Sequence, residues 1–458
     1  MAYDERYHLE VIKIYTKRIH PFWSGDPSGP APYGALSRDP SYLYHYIMSL
    51  PMRVIELLTD DPRLQITILR FISIGLFITG IYIFRKVLRS AGCSKALSNV
   101  VLAMFAATPL VSLLAAQINY DNLLIVVFGL ALLLMQRILA SLPKNLEAKN
   151  LMLLAIVAMA GALIKYAFLP ILLGIGLVLL VAIFKGKKNT IDSRWQEIRS
   201  SFTSIPKRLR IVLCIAFVLL FGLCLERYAV NLVRYKTPAP ECDQVLTIEQ
   251  CFANGPWRRN YQTRRSKLNG TLKPRDTSFK RFAIHSWLSV TTYQLFYVLN
   301  GEQSGYALGW AYSNPRKASV VVFLAGTVLY IIFQQRIRKK YRFDSLIIIT
   351  LLYCSTLLLQ NYSDLRHLGY PFGIQGRYLI PILPIVYAVV ASGFAVALGK
   401  WQSVKTILAI IAILGLITQG GGAGTFVLRS DNTWYWNDAN IITGNNRVRR
   451  VLQKFIIE

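Results

Sequence analysis

Residues 97–136 read LSNVVLAMFAATPLVSLLAAQINYDNLLIVVFGLALLLMQ, with a single charged side chain, Asp121. Each half of this stretch is close to the ~20 residues that a helix needs to cross the hydrocarbon core of a bilayer. Similar apolar runs lie on both sides of it, at about 64–83, 97–116, 121–136, 151–168, 169–184, 211–226, 317–334, 345–360, 378–398 and 404–422. One such run suits the core helix of a soluble protein. Ten in series, in a chain of 458 residues that is 54% hydrophobic, predict an all-α, polytopic integral membrane protein. The runs at 121–136 and 169–184 are short, so they tilt or begin earlier.

Basic residues orient the bundle. Arg85, Lys86, Arg89 and Lys95 follow the first run, and Arg137, Lys144 and Lys149 follow the third. Eight more lie between Lys185 and Arg210, after the fifth, and Arg336, Arg338, Lys339, Lys340 and Arg342 follow the seventh. Every cluster falls after an odd-numbered span, which makes that face cytoplasmic. The opposite loops are poor in base; QINYDN has none. Ten spans then place both termini outside. An outside start with no signal or span before residue 60 predicts a missing upstream helix, eleven in all.

Three hydrophilic regions fall outside. Residues 1–62 form a first loop, and Leu9, Ile12, Tyr15 and Ile19 recur there at helical spacing, as in a helix lying on the membrane surface. The turn SGDPSGPAPYG and then PSYLYHYIMSLPMRVIELL suggest a second interfacial helix, with tyrosines 42, 44 and 46 at headgroup level. Spans one to six occupy 63–226. Residues 227–316 are too long for a plain connector; between Arg227 and Arg281 they hold twelve Lys/Arg against four acids. Their aromatic stretch HSWLSVTTYQLFYVLNG is expected to be re-entrant or interfacial. Spans seven to ten occupy 317–422, and 423–458 is an outer tail with WYW at 434–436.

Cys242 and Cys251 lie in the oxidising outer loop as a disulfide or as two free thiols. NGT at 269–271 and NYS at 361–363 match glycosylation sequons.

The net charge of +29 sets off the acidic start, AYDERYH. Asp4, Glu5 and His8 are outside. Asp121 heads span three, Lys165 (GALIKYAFLP) ends span four and Arg377 (GIQGRYLIPILP) opens span nine, all at the same outer face. Ionisable groups at membrane depth usually face a cavity and mark function. Each also has a plainer role: first-turn acids on a helix dipole, a helix cap for Asp121, a snorkelling Lys165, an interfacial anchor for Arg377 and Tyr378. DERYH is not the HExxH zinc motif.

DExxH beside the membrane, PSYLYHY, NYDNLL, LIKYAFLP and GIQGRYLIPILP together resemble an uncharacterised bacterial family of multi-span membrane proteins. That family is grouped with the GT-C glycosyltransferases, which include protein O-mannosyltransferases and lipid A aminoarabinose transferases. The resemblance implies a GT-C-like helical bundle with extracytoplasmic juxtamembrane helices, in a bacterial cytoplasmic membrane with the active site outside. It implies an inverting transfer of a hexose or pentose from a polyprenyl-phosphate-linked donor to a hydroxyl of a lipid, glycan or protein. Nucleic acid is not an expected partner.

On this reading Asp4, then Glu5, is the base that takes the acceptor proton. Lys165, Arg377, Arg258 and Arg259 bind the donor phosphate, Arg377 in bidentate fashion. His8, Tyr44, His45, Asp121, Gln375 and Tyr378 line the substrate. The residues single out no definite cofactor; a divalent ion, Mg or Mn, held by Asp4, Glu5 or His8 is a second way to neutralise phosphate. A transporter or flippase of a phosphate-linked lipid or glycan is the alternative, since it too needs outward-facing cations.

Overall fold

The computed structural model describes residues 4–22, 28–142, 146–185, 191–271, 277–297, 309–371, 373–418 and 439–457, and every regular element among them is a helix. The chain is an all-α, multi-pass membrane protein. Outside the described residues lie the last four positions of the aromatic segment, 298–301, and the WYW at 434–436.

The centre of the bundle is α6 (Tyr120–Ser141), with side chains buried on most of its surface from Asp121 to Ile138. Along it run α3 (Pro62–Ser90) and α7 (Ala148–Ile164). The approach of α3 is close at Gly129, where a Cβ would lie 2.9 Å from Ile83 Cγ2. Small residues at such crossings let helix backbones come together in a membrane, where no hydrophobic force draws them.

Among the described residues, six helical segments are long and apolar enough to cross a membrane: Pro62–Ser90, Tyr120–Ser141, Tyr166–Phe184, Lys207–Tyr235, Asp344–Leu368 and Gly376–Ala397. Two more arise if each of two bent helix pairs counts as one span. The runs at 151–168 and 404–422 form shorter apolar helices, α7 and Gln402–Thr418. The outer face of Lys207–Tyr235 carries Val212, Ile215, Val218 and Leu219 exposed. Such a surface suits lipid contact.

The run at 97–116 is not one straight span. It forms α4 (Lys95–Ala107) and α5 (Pro109–Ala115), bent by 75° at Thr108. Pro109 has no amide hydrogen to donate, and its ring pushes the preceding residue out of the helical region. Thr108 accordingly has φ −61° and ψ 124°. The fourth and fifth runs also divide earlier than expected. Lys165 is extended (φ −155°, ψ 119°) between α7 and the short turn Tyr166–Phe168, which leads into α8 (Leu169–Phe184).

The first loop differs from the expected surface helices. α1 (Glu5–Thr16) buries Leu9, Val11, Ile12 and Tyr15 and packs on α2 (Leu43–Leu58). Ile19, beyond the end of α1, is exposed instead of completing the stripe. It is α2 that turns Leu50, Val54, Leu57 and Leu58 outward. Tyr42 and Tyr44 are buried, while the Tyr46 hydroxyl donates to the Ile19 carbonyl at 2.7 Å.

Arg227 fastens this loop to the bundle. It lies on a π-helical turn, Leu225–Ala229, at the end of the helix Lys207–Cys224. Its guanidinium lies between the rings of Phe22 (5.0 Å) and Tyr42 (4.6 Å). It donates to the carbonyls of Ser37 and Pro21, the latter at 3.1 Å. Neighbouring Glu226 pairs with Arg38.

Outside this lies a small cap. Cys242 and Cys251 are joined by a disulfide and bury with Ala31, Leu246 and Trp257. Ala31 N–H donates to the Gln250 carbonyl at 3.0 Å, which ties the cap to the first loop. The helix Gly255–Leu268 carries the basic run and docks by Lys267, which donates to the carbonyls of Arg366 and His367.

Candidate active site

Four segments bring ionisable side chains to one end of the bundle. Asp4 precedes α1, Asp121 lies in the first turn of α6, Lys165 is at the break after α7, and Arg377 is on the 3-10 segment Gly376–Ile382. Arg377 Nη1 lies 2.6 Å from Asp4 Oδ2. Lys165 Nζ lies 2.7 Å from Asp121 Oδ1. The two pairs are neighbours, because one ring lies between their cations. Lys165 Nζ is 4.8 Å from the centre of the Tyr378 ring and the Arg377 guanidinium is 5.6 Å from it. The Tyr120 ring covers Lys165 from another side at 4.4 Å.

Local backbone choices produce this geometry. Asn119 caps α6 through its side chain, which accepts from Asp121 N–H at 2.9 Å. The Asp121 carboxylate is thereby left for Lys165 rather than for capping. Lys165 leaves the helical path, and its side chain turns toward α6 instead of along α7. Arg377 is held by the aromatic segment that the sequence suggested as re-entrant or interfacial. Gln294, on the helix Ser289–Tyr297, accepts from Gly376 N–H at 2.6 Å. A Cβ at Gly376 would meet the Thr291 carbonyl at 2.8 Å, so glycine permits this approach.

Two buried histidines back the site. His8 Nδ1 and His45 Nε2 are 2.8 Å apart, one donating to the other, and the rings stack at 5.1 Å. His8 also meets the Tyr120 ring edge-on at 4.6 Å, and Tyr44 at 6.1 Å. Burial lowers both basicities. His8 falls well below the ordinary imidazole value, through burial and then the nearby His45, Arg377 and Lys165, and burial takes His45 down to about 3. The pair is therefore neutral at physiological pH. Asp121 Oδ2, His8 Nε2, Asn119 Nδ2, Gln375 Oε1 and Arg377 Nε are buried with no hydrogen-bond partner among the described residues.

Several expected site residues lie elsewhere. Both oxygens of Glu5 are committed: Arg70 grips them at 2.8 and 2.6 Å, and Ile118 N–H donates at 3.1 Å. Glu5 is wholly buried and fixes α1 to α3 and to the turn before α6. Asp4, Glu5 and His8 face different partners: Arg377, then Arg70 with Ile118 N–H, then His45. Among the described residues no three His, Cys, Asp or Glu side chains are grouped to hold an ion. Arg258 and Arg259 are exposed on the outer basic helix, apart from the buried Arg377.

Sequence reasoning missed Tyr120, Arg70 and Arg227. Tyr120 adjoins Asp121, and Arg70 is an ionisable residue inside an apolar run. Both features were visible signals. Nothing in the sequence pointed to Arg227 as the partner of the loop at 21–42.

A family described as a predicted membrane protein (DUF2142) matches residues 33–386 of the chain. No curated protein matches it.

Proposed function

This chain belongs to the DUF2142 family of predicted membrane proteins, and we propose that it is a GT-C type glycosyltransferase. In this reading it moves a sugar from a polyprenyl-phosphate donor to an acceptor hydroxyl at the extracytoplasmic face of the membrane. The observation that carries the reading is the half-exposed Asp4 carboxylate, 2.6 Å from a buried arginine whose neighbour is a buried lysine. Glycosyl transfer from a lipid phosphate needs this combination: a base for the acceptor and fixed cations for the leaving phosphate.

The acceptor oxygen forms its bond to the anomeric carbon as the bond from that carbon to the phosphate oxygen breaks. The electron pair of the breaking bond stays on the phosphate. The acceptor proton passes to Asp4. Attack opposite the phosphate inverts the anomeric centre. Arg377 receives the growing phosphate charge through two parallel N–H donors, and Lys165 adds a point charge held in place by Asp121 and Tyr120. His8 and His45, being neutral, bring no competing charge. Glu5 acts through position, by fixing the start of α1 and hence Asp4.

The test is release of polyprenyl phosphate from a panel of polyprenyl-phosphate hexoses and pentoses by the purified protein. Asp4→Asn should lower turnover by about a hundredfold or more, the usual worth of a general base. Its thermal midpoint should fall, because the enclosed Arg377 loses its counter-charge, so turnover is compared on chain that remains folded. Undiminished turnover in Asp4→Asn would remove the base assignment. A lipid translocated across vesicles with no sugar transferred would favour transport instead.

A further inference from the structure

We infer that the Asp4–Arg377 ion pair is a latch: the donor phosphate displaces Asp4 from Arg377 and so frees the base only when the donor is in place. The inference rests on the roles proposed above for these two residues, and it adds the order in which they act.

The charges balance at rest. Two cations, Arg377 and Lys165, face two carboxylates, Asp4 and Asp121. A guanidinium as enclosed as Arg377 is strongly unfavourable without a counter-charge, and Asp4 supplies it. A phosphate reaching Arg377 brings its own negative charge and fits the same fork of donors. Two anions then contend for one guanidinium, and their mutual repulsion drives one of them out.

Exposure decides which pair opens. The side chain of Asp121 is 2% exposed and that of its partner Lys165 is 6% exposed. Asp4 is 49% exposed against 7% for Arg377. A carboxylate that leaves its cation must be rehydrated. Asp4 can meet water where it stands, whereas Asp121 is enclosed. The phosphate therefore releases Asp4 and leaves the Asp121–Lys165 pair intact.

The backbone allows this movement. Asp4 is the residue before α1, and its side chain makes no capping bond to the helix. Its carbonyl accepts from His8 N–H at 3.0 Å, so the main chain keeps its place. The next residue, Glu5, is clamped by Arg70 and Ile118 N–H. A rotation of the Asp4 side chain frees the carboxylate without moving α1. At rest the carboxylate is committed to Arg377; once displaced, it is free to accept the hydroxyl proton while Arg377 holds the phosphate.

Binding of farnesyl phosphate to the full chain in detergent micelles tests the latch without requiring turnover. The chains compared are wild type, Asp4→Asn, Asp4→Ala and Arg377→Gln; with two Asp4 variants, poor folding of one does not remove the comparison. The latch predicts that both Asp4 variants bind about twofold to fivefold tighter than wild type, the range of a partly exposed ion pair. Arg377→Gln should lose most of the binding. Unchanged or weaker binding by the Asp4 variants, with binding still lost in Arg377→Gln, would overturn the latch and leave the donor site in place. Binding indifferent to Arg377, or absent from wild type, would overturn both.

Discussion

Lys165 and Asp121 illustrate how a membrane protein keeps a charge where it is needed. The lysine sits at a helix break, closed in by Tyr120 and Tyr378, and its ammonium reaches one carboxylate oxygen at 2.7 Å. Removing one partner of a buried pair leaves an uncompensated charge, which costs about 3–5 kcal/mol. Asp121→Asn should therefore lower the thermal midpoint markedly. Asp121→Asn with Lys165→Met should recover much of the loss, because no charge is then stranded. A double variant no more stable than the single one would contradict the pairing. The histidines make a prediction in pH. Both are held neutral in the folded chain, with values depressed from the ordinary 6.5, His45 to about 3. Below pH 6.5 the unfolded chain takes up protons that the folded chain does not. The stability due to this pair is full above about 6.5 and is lost as pH falls from there toward 3. His8→Gln with His45→Gln should flatten that part of the unfolding profile, read by thermal midpoint from pH 7 to 4.

Among the elements, the 3-10 segment Gly376–Ile382 has the most demanding placement. It rests on the helix Ser289–Tyr297 through the Gln294–Gly376 bond and through the absence of a Cβ at 376. Gly376→Ala should push the two apart by a few tenths of an ångström or more and misplace Arg377. Farnesyl phosphate binding should fall several-fold while the other spans still fold; unaltered binding would show that this contact does not set the arginine. Arg227 governs the loop at 21–42 in the same way. Arg227→Ala would strand the Ser37 and Pro21 carbonyls, at about 2–4 kcal/mol for the lost bonds and packing. Limited proteolysis should then cut the first loop, and resistance equal to wild type would contradict the anchor. These elements also mark the limit of sequence reading. The apolar runs could be seen because their length and lack of charge are local properties. The break at Thr108 is legible in Pro109, although the unbroken apolar run over 97–116 masks it. The site charges at 4, 121, 165 and 377 were legible as exceptions in apolar surroundings. The division of labour between adjacent Asp4 and Glu5 was not, since it depends on Arg70, 65 positions from Glu5. The stripe of α1 was legible as amphipathic, but whether α2 or lipid covers it is a tertiary matter.

For the whole molecule, the arrangement separates two kinds of basic charge. Exposed arginines such as Arg258 and Arg259 lie on the outer cap, whereas Arg377 and Lys165 are enclosed and matched by carboxylates. The excess of +29 thus belongs largely to surfaces and loops, and the proposed site is neutral at rest. The acidic start of the chain supplies half of that neutrality. The bundle fixes Arg377 and Lys165 from different segments around the central α6, and Glu5 fixes α1, which leaves Asp4 as the half-exposed member of the four site charges. The most direct measurement is an experimental structure of the full chain with a polyprenyl phosphate bound. The latch predicts phosphate density against Arg377 and Lys165, with the Asp4 carboxylate turned away from Arg377. Phosphate held elsewhere, along a path through the bundle with the Asp4–Arg377 pair still closed, would contradict it.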